Sequence, residues 1–224
     1  KYGPNPPAVK CGFEDVAMYQ YTGGTTGVSK GVMLTHANLS KQVQQLSSWV
    51  PAFGKGGEII LGALPYFHVF GLSVVLNYAI YKGWSQVLVP RPQPEPLLEA
   101  IRSFCPSFTP LVPTMYIGML NHPDLKKTPM TCIKGAFSGS APLPVEVIHD
   151  FEKATGAIIM EGFGMTETSP VTHVNPFLGV HKVGSVGVPI PDTLARIVDL
   201  EDEVTDVPVG ERGELIVKGP QVML

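Results

Sequence analysis

The chain has 224 residues, 44% hydrophobic and 16% charged, with a formal net charge of −3 at pH 7. That composition is globular, able to bury roughly 70% of the surface exposed by the unfolded chain, and its weak acidity excludes the basic footprint of a nucleic-acid binder. The longest apolar run, Leu72 to Tyr81, is broken by Ser73 and Asn77 and is too short to cross a bilayer; no signal peptide is visible.

Residues 1–14, with Pro4, Pro6, Pro7 and two glycines, read as an extended linker. Asp15 to Thr22 reads as a strand leading into Tyr21 to Gly31, YTGGTTGVSKG, which packs four glycines, three threonines, a serine and a lysine into eleven residues. Threonine hydroxyls and glycine amides are short donors that can converge on a compact anion, and glycine allows close backbone approach. Lys30 adds a mobile point charge suited to phosphate. The natural target is a polyphosphate. This is not a Walker A loop, because Ser29 precedes Lys30 and Gly31 follows it. Val32 to Leu34 resumes the strand, and Thr35 is a good N-cap for a helix whose Leu39, Val43, Leu46 and Val50 form one apolar stripe, ended by Pro51.

Ile59 to Leu64 reads as a buried strand, followed by a helical run from Val69 to about Tyr81 and a strand at Val87 to Val89. Pro94 to Phe104 reads as a helix with Leu97, Leu98, Ile101 and Phe104 on one side. Phe108 to Val112, a helix from Thr114, Ile133 to Phe137, a helix from Pro144 to Ala154 closed by Gly156, and Ile158 to Met160 continue the alternation. The fold class is therefore α/β, with mostly parallel strands flanked by helices and ligands beyond the C-terminal strand ends. After about Lys182 the pattern changes. Leu194 to Asp199 and Glu214 to Lys218 predict a β-hairpin, the beginning of a β-rich, barrel-like subdomain. Cys11, Cys105 and Cys132 lie far apart without metal-type spacing, as expected for reduced thiols of a cytosolic protein.

Three further stretches carry candidate chemistry. Glu161 to Glu167, EGFGMTE, follows a strand. By itself it is an ordinary tight turn and helix start, yet Phe163 offers a flat face for a purine, Thr166 a hydroxyl for phosphate and Glu167 a hard carboxylate for Mg2+. Ser138 to Leu143, SGSAPL, reads plainly as a strand-to-helix loop. Leu64 to Gly71, LPYFHVFG, sets one histidine among aromatics, where a packed, hydrogen-bonded role is commoner than a catalytic one.

YTGGTTGVSKG resembles the phosphate-binding signature of the adenylate-forming superfamily, which includes the acyl-CoA synthetases and whose usual form is Y-T/S-S-G-T-T-G-x-P-K-G. Gly23 stands where serine is common, as in bacterial long-chain fatty acyl-CoA ligases, and Ser29 where proline is common, which loosens the loop. EGFGMTE is similar to that superfamily's G-Y/F-G-x-T-E segment, and VGSVGVPIP (Val183 to Pro191) and GELIVKGPQVML look like its later core segments.

The resemblance implies a function. Thr22, Gly23, Gly24, Thr25, Thr26, Gly27 and Lys30 would cradle the β- and γ-phosphates of ATP. Gly139, Ser140, Ala141, Glu161, Gly162, Phe163 and Gly164 would contact adenine. Thr166 would act at the α-phosphate and Glu167 would hold Mg2+. Phe67, His68, Phe70 and Gly71 would line the acyl pocket, His68 as lining rather than as a proton carrier and Gly71 as volume left for a chain. Residues 1–181 would be part of the α/β core of the large AMP-binding domain and 182–224 a β-rich segment of it. The ribose-gripping aspartate and the C-terminal small domain with its lysine have no counterpart before Leu224, so both ends look cut. The expected activity is ATP-dependent activation of a long-chain fatty acid to acyl-adenylate and then to a CoA thioester, with an aryl- or medium-chain acid as an alternative within the class. A non-catalytic nucleotide-binding or interaction domain is the alternative outside it. Small molecules are the expected partners. The expected location is the cytoplasm, with peripheral contact at the inner face of a membrane; oligomeric state is left open.

Overall fold

The computed structural model describes residues 8–22 and 29–224. Val16–Thr22 (β1) and Lys30–Thr35 (β2) pair antiparallel, with Thr22 opposite Lys30, so one hairpin holds both ends of the Gly/Thr-rich loop. The loop itself, residues 23–28, and residues 1–7 of the expected linker lie outside the described residues; residues 8–12 form no regular element. His36–Trp49 (α1) starts where the cap predicts. Thr35 Oγ1 accepts from the Asn38 amide at 3.1 Å, and Asn38 Oδ1 accepts from the Thr35 amide at 2.9 Å, a reciprocal pair that satisfies two otherwise unpaired donors. Val43, Leu46 and Val50 are buried, while Leu39 packs half-buried under the hairpin against Val32, Leu34 and Val69.

The expected alternation follows: Ile59–Gly62 (β3), a helix that is π-wound over Gly71–Asn77 and continues as Tyr78–Lys82 (α2), Ser85–Leu88 (β4), Pro94–Phe104 (α3), Phe108–Leu111 (β5), Pro113–Leu120 (α4), Gly135–Ser138 (β6), Val145–Thr155 (α5) and Ile158–Gly164 (β7). β4, β3, β5, β6 and β7 are neighbours in that order and all parallel. Successive strand residues point to opposite faces. Ile60, Phe137 and Met160 therefore pack with α1 and the π-wound helix, whereas Leu61, Ala136 and Ile159 pack with α3, α4 and α5. Leu97, Leu98 and Ile101 of α3 are fully buried, each contributing about 1.5–3 kcal/mol. Phe104 is a correction: it is 56% exposed, being the last helical residue before Cys105 turns the chain into the left-handed region at φ 46°.

Two strands were not predicted. Val171–Val174 (β8) and Val188–Pro189 (β9) extend the sheet antiparallel beyond β7. All four β8 residues are buried, so the strand shows no alternation to read. Pairing with β8 also carries β7 through Gly164, so the EGFG segment lies on a strand and not in a turn after one. Leu194–Val198 (β10) and Glu214–Lys218 (β11) form the separate antiparallel hairpin that the sequence predicts.

Candidate active site

β6 and β7 run parallel with Ser138 opposite Glu161, so the SGSAPL and EGFGMTE stretches leave the same edge of the sheet side by side. The segment after β3 arrives at that edge too. Together they enclose a cleft of about 240 Å³ lined by His68, Val69, Phe70, Phe137, Gly139, Ser140, Gly162, Phe163, Gly164, Met165, Thr166, Pro170 and Val171. This is where open parallel sheets bind ligands, at the C-terminal strand ends. The wall is aromatic: Phe70 and Phe137 meet edge to face at 5.6 Å, and Phe163 meets His173 edge to face at 6.4 Å. Gly162 is required by close approach, since a Cβ there would stand 2.5 Å from the Phe137 ring. His68 is exposed at the rim, and its Nδ1 accepts from the Phe70 amide at 3.2 Å.

Eight residues singled out from the sequence thus meet in one cleft: His68, Phe70, Gly139, Ser140, Gly162, Phe163, Gly164 and Thr166. Others do not. Ala141 is exposed outside it. Glu161 is buried and occupied within the chain: its Oε2 accepts from the Gly184 amide at 3.0 Å and its carbonyl from the Asn175 amide at 2.9 Å, tying VGSVGVPIP to β7. Phe67 is 81% exposed and lines a separate apolar surface groove with Leu88 and Pro90. Gly71 has no open volume beside it, because a Cβ would meet the Pro65 carbonyl carbon at 2.8 Å and the Leu64 carbonyl oxygen at 3.0 Å. Sequence reading missed Val69, Phe137, Met165, Pro170 and Val171. The first three sit inside or next to the quoted motifs, while Pro170 and Val171 belong to the unpredicted β8 side.

Thr22 and Lys30 stand opposite each other where the hairpin meets the loop, with Ser29 Oγ donating to the Thr22 carbonyl at 2.9 Å. Gly23, Gly24, Thr25, Thr26 and Gly27 fall outside the described residues. Glu167 follows Thr166 in a short 3-10 turn, Thr166–Thr168, and is half-buried. No cluster of three or more His, Cys, Asp or Glu side chains occurs among the described residues, so a cation at Glu167 would draw at most two such ligands from them. That fits Mg2+, which commonly takes one or two carboxylates and completes its shell with phosphate oxygens and water.

The last residues of the chain bind the hairpin and this turn to each other. The Met223 amide donates to the Glu167 carbonyl at 2.8 Å, and the Leu224 amide to the Met33 carbonyl of β2 at 3.3 Å. Asn38 Nδ2 donates to the carbonyls of Pro220 and Val222, both at 2.9 Å. Beneath them lies a buried carboxamide network. Gln45 Nε2 donates to Gln221 Oε1 at 3.0 Å, Gln221 Nε2 to Thr193 Oγ1 at 2.7 Å, and Gln42 Oε1 accepts from the Val171 amide at 2.7 Å.

Comparison with known proteins agrees with this geometry. The family model described as AMP-binding enzyme matches residues 2–224. A long-chain-fatty-acid–CoA ligase of Bacillus subtilis is 47% identical over 209 residues, covering 93% of this chain and 37% of that protein. The crystal structure of ATP-bound MatB from Rhodopseudomonas palustris superposes with a TM-score of 0.87 at 34% identity, covering 96% of this chain and 42% of that one. An anthranilate CoA ligase in complex with anthranoyl-AMP superposes with a TM-score of 0.86 at 28% identity, over 95% of this chain and 40% of that one. The chain thus spans about two fifths of the length of the proteins it matches. A cleft at the C-terminal strand ends and a family match over nearly every residue lead to one conclusion: the chain belongs to the AMP-binding enzyme family of adenylate-forming proteins.

Proposed function

We propose that this chain supplies the ATP-handling portion of a ligase that activates a long-chain fatty acid as its acyl-adenylate and passes the acyl group to CoA. The observation that carries the reading is the convergence of Gly139, Ser140, Phe163 and Thr166 in one cleft at the strand ends, next to Glu167. The fatty acid carboxylate forms a bond to the α-phosphorus of ATP, and pyrophosphate leaves with the electron pair of the broken P–O bond. The CoA thiolate then bonds to the acyl carbon and AMP departs. Phe163 stacks on the adenine and Gly139 and Ser140 border it. Thr166 donates to the oxygens of the α-phosphate, where charge develops. Thr22 and Lys30, with the loop between them, hold the departing phosphates. An Mg2+ ion on Glu167 and the phosphates would offset the repulsion between carboxylate and nucleotide. Removing one such preorganised donor typically costs about 3 kcal/mol, roughly a hundredfold in rate.

The long-chain assignment draws on the Bacillus subtilis relative and on the apolar Leu64–Ala79 region, much of it buried. A second reading, an aryl acid, is favoured by the anthranilate ligase likeness and by the Phe70–Phe137 pair lining the cleft. The reading also implies a cytoplasmic enzyme that meets its substrate at the inner face of a membrane; among the described residues no helix is long and apolar enough to cross one. The test is ATP–pyrophosphate exchange with a panel of alkyl and aryl acids, using this chain joined to the flanking segments of its Bacillus subtilis relative. Long alkyl acids should give the fastest exchange, and Glu167→Gln, which keeps the shape and removes the charge, should abolish Mg2+-dependent exchange without unfolding the protein. Near-normal exchange by a folded Glu167→Gln enzyme would remove Glu167 from the metal site.

A further inference from the structure

Gln221 is fully buried, and its side chain lies within a network that spans three separate parts of the chain. Its Oε1 accepts from Gln45 of α1, and its Nε2 donates to Thr193 at 2.7 Å and toward the Val171 carbonyl at 3.5 Å. Its own carbonyl accepts from Ser169 Oγ at 2.8 Å, and Ser169 immediately follows the Thr166–Thr168 turn. Buried carboxamides require both kinds of partner, and here both are supplied. The consequence lies two and three residues further on. Met223 is presented to the Glu167 carbonyl and Leu224 to the Met33 carbonyl, so one short segment, entered through the turn that the Val222 amide closes on the Gly219 carbonyl, fastens the Glu167 turn and the phosphate hairpin at once.

We propose that Gln221 is a positioning residue of the nucleotide site: anchored on Gln45 and Thr193, it fixes the 220–224 segment that sets Glu167 against the hairpin carrying Lys30. Lys30 and Glu167 come from remote parts of the sequence. Among the described residues this segment hydrogen-bonds directly to both the hairpin and the Glu167 turn. Loosening it leaves each group chemically intact and changes the spacing between them. The effect therefore falls on binding that needs both, the ATP–Mg2+ complex, more than on ATP alone. The inference rests on the ATP-site reading given above.

Two measurements on the 224-residue chain separate the inference from that reading. The first uses no nucleotide. Amide hydrogen exchange is compared between the unmodified chain and Gln221→Met, an apolar side chain of similar length. Exchange should quicken about tenfold at Thr168, Ser169, Met223 and Leu224, and stay unchanged in α3 and α5 on the opposite face. Unchanged exchange at those four amides overturns the inference, whatever the chain binds. The second is ATP affinity by calorimetry, with and without Mg2+. Gln221→Met should weaken the Mg2+–ATP complex about tenfold, a size usual for groups that orient a metal ligand, and leave Mg2+-free ATP nearly unaffected. Equal losses in both conditions, or none, would make Gln221 merely structural and overturn the inference. Unchanged exchange in α3 and α5 shows that Gln221→Met is folded, so a loss of protection confined to the four amides is local. Absence of ATP binding by the unmodified chain would refute the nucleotide reading, while the amide exchange would still report whether Gln221 fastens the turn.

Discussion

Gly71 illustrates how a residue's neighbours in sequence differ from its neighbours in space. Beside Phe67, His68 and Phe70 it reads as space left for an acyl chain, yet the first turn of the π-wound helix presses its Cα against the carbonyls of Leu64 and Pro65. Gly71→Ala is therefore expected to lower stability by about 1–3 kcal/mol, the usual cost of overpacking, measured by urea unfolding. A variant as stable as the original would mean that the Pro65 backbone yields freely. The cysteines carry a second lesson of the same kind. Cys105 and Cys132 are remote in sequence, but the Cys132 thiol lies beside that of Cys105 and 4.0 Å from the Pro106 carbonyl. Burial, and then the neighbouring thiol, push the Cys132 pKa up to about 11. Because only the thiolate alkylates, Cys132 should label with iodoacetamide far more slowly than exposed Cys11 at pH 8 and accelerate as pH approaches 11. Equal rates at pH 8, read by peptide mass spectrometry, would contradict that environment.

At the scale of elements, most of the parallel α/β core was legible because period and punctuation agree there. Thr35 with Asn38, Pro94 at the first helical position and Gly156 after α5 all mark real ends. The π-winding of Gly71–Asn77 was not legible, since its apolar composition suits either helix; it appears only as the Tyr78 amide reaching back to Ser73. Nor was β8, whose Val171–Val174 residues face protein on both sides. Without β8 the EGFG stretch by itself has the look of a tight turn, and Pro170 and Val171 fall outside the expected lining. β8 also carries a pH dependence. Burial of His173 pushes its pKa below the ordinary histidine value, and its Nδ1 lies 2.9 Å from Thr172 Oγ1. The unfolded chain therefore binds a proton that the folded chain does not, so stability rises with pH through that window and is lost as pH falls below about 6.5. The melting temperature should be lower at pH 5.5 than at pH 7.5, and the difference should shrink in His173→Asn. An undiminished difference in that variant would assign the acid sensitivity to other groups.

For the molecule as a whole, the question is how much chemistry 224 residues can perform when the relatives they match are roughly two and a half times as long. The cleft is lined by aromatic and hydroxyl groups, with the Glu167 turn following Thr166 beside it, and the 220–224 segment links that turn to the hairpin. Its rim is exposed at His68, Gly164 and Met165. Holding reactants in line can be worth about 7–11 kcal/mol, and a cleft exposed along one side forfeits part of that. Water that reaches the acyl-adenylate also competes with the thiol for it. The chain alone is therefore expected to bind ATP weakly and to form acyl-CoA at a small fraction of the rate reached when it is joined to the flanking segments of its Bacillus subtilis relative. The two proteins would be given ATP, Mg2+, CoA and a long-chain acid, and thioester would be followed by chromatography. Comparable rates would mean that the cleft excludes water and aligns its substrates unaided. The catalytic groups would then all lie between Tyr21 and Leu224. A large gap in rate with similar ATP affinity would instead separate nucleotide capture, done here, from the alignment and thiol transfer that depend on the rest of the enzyme.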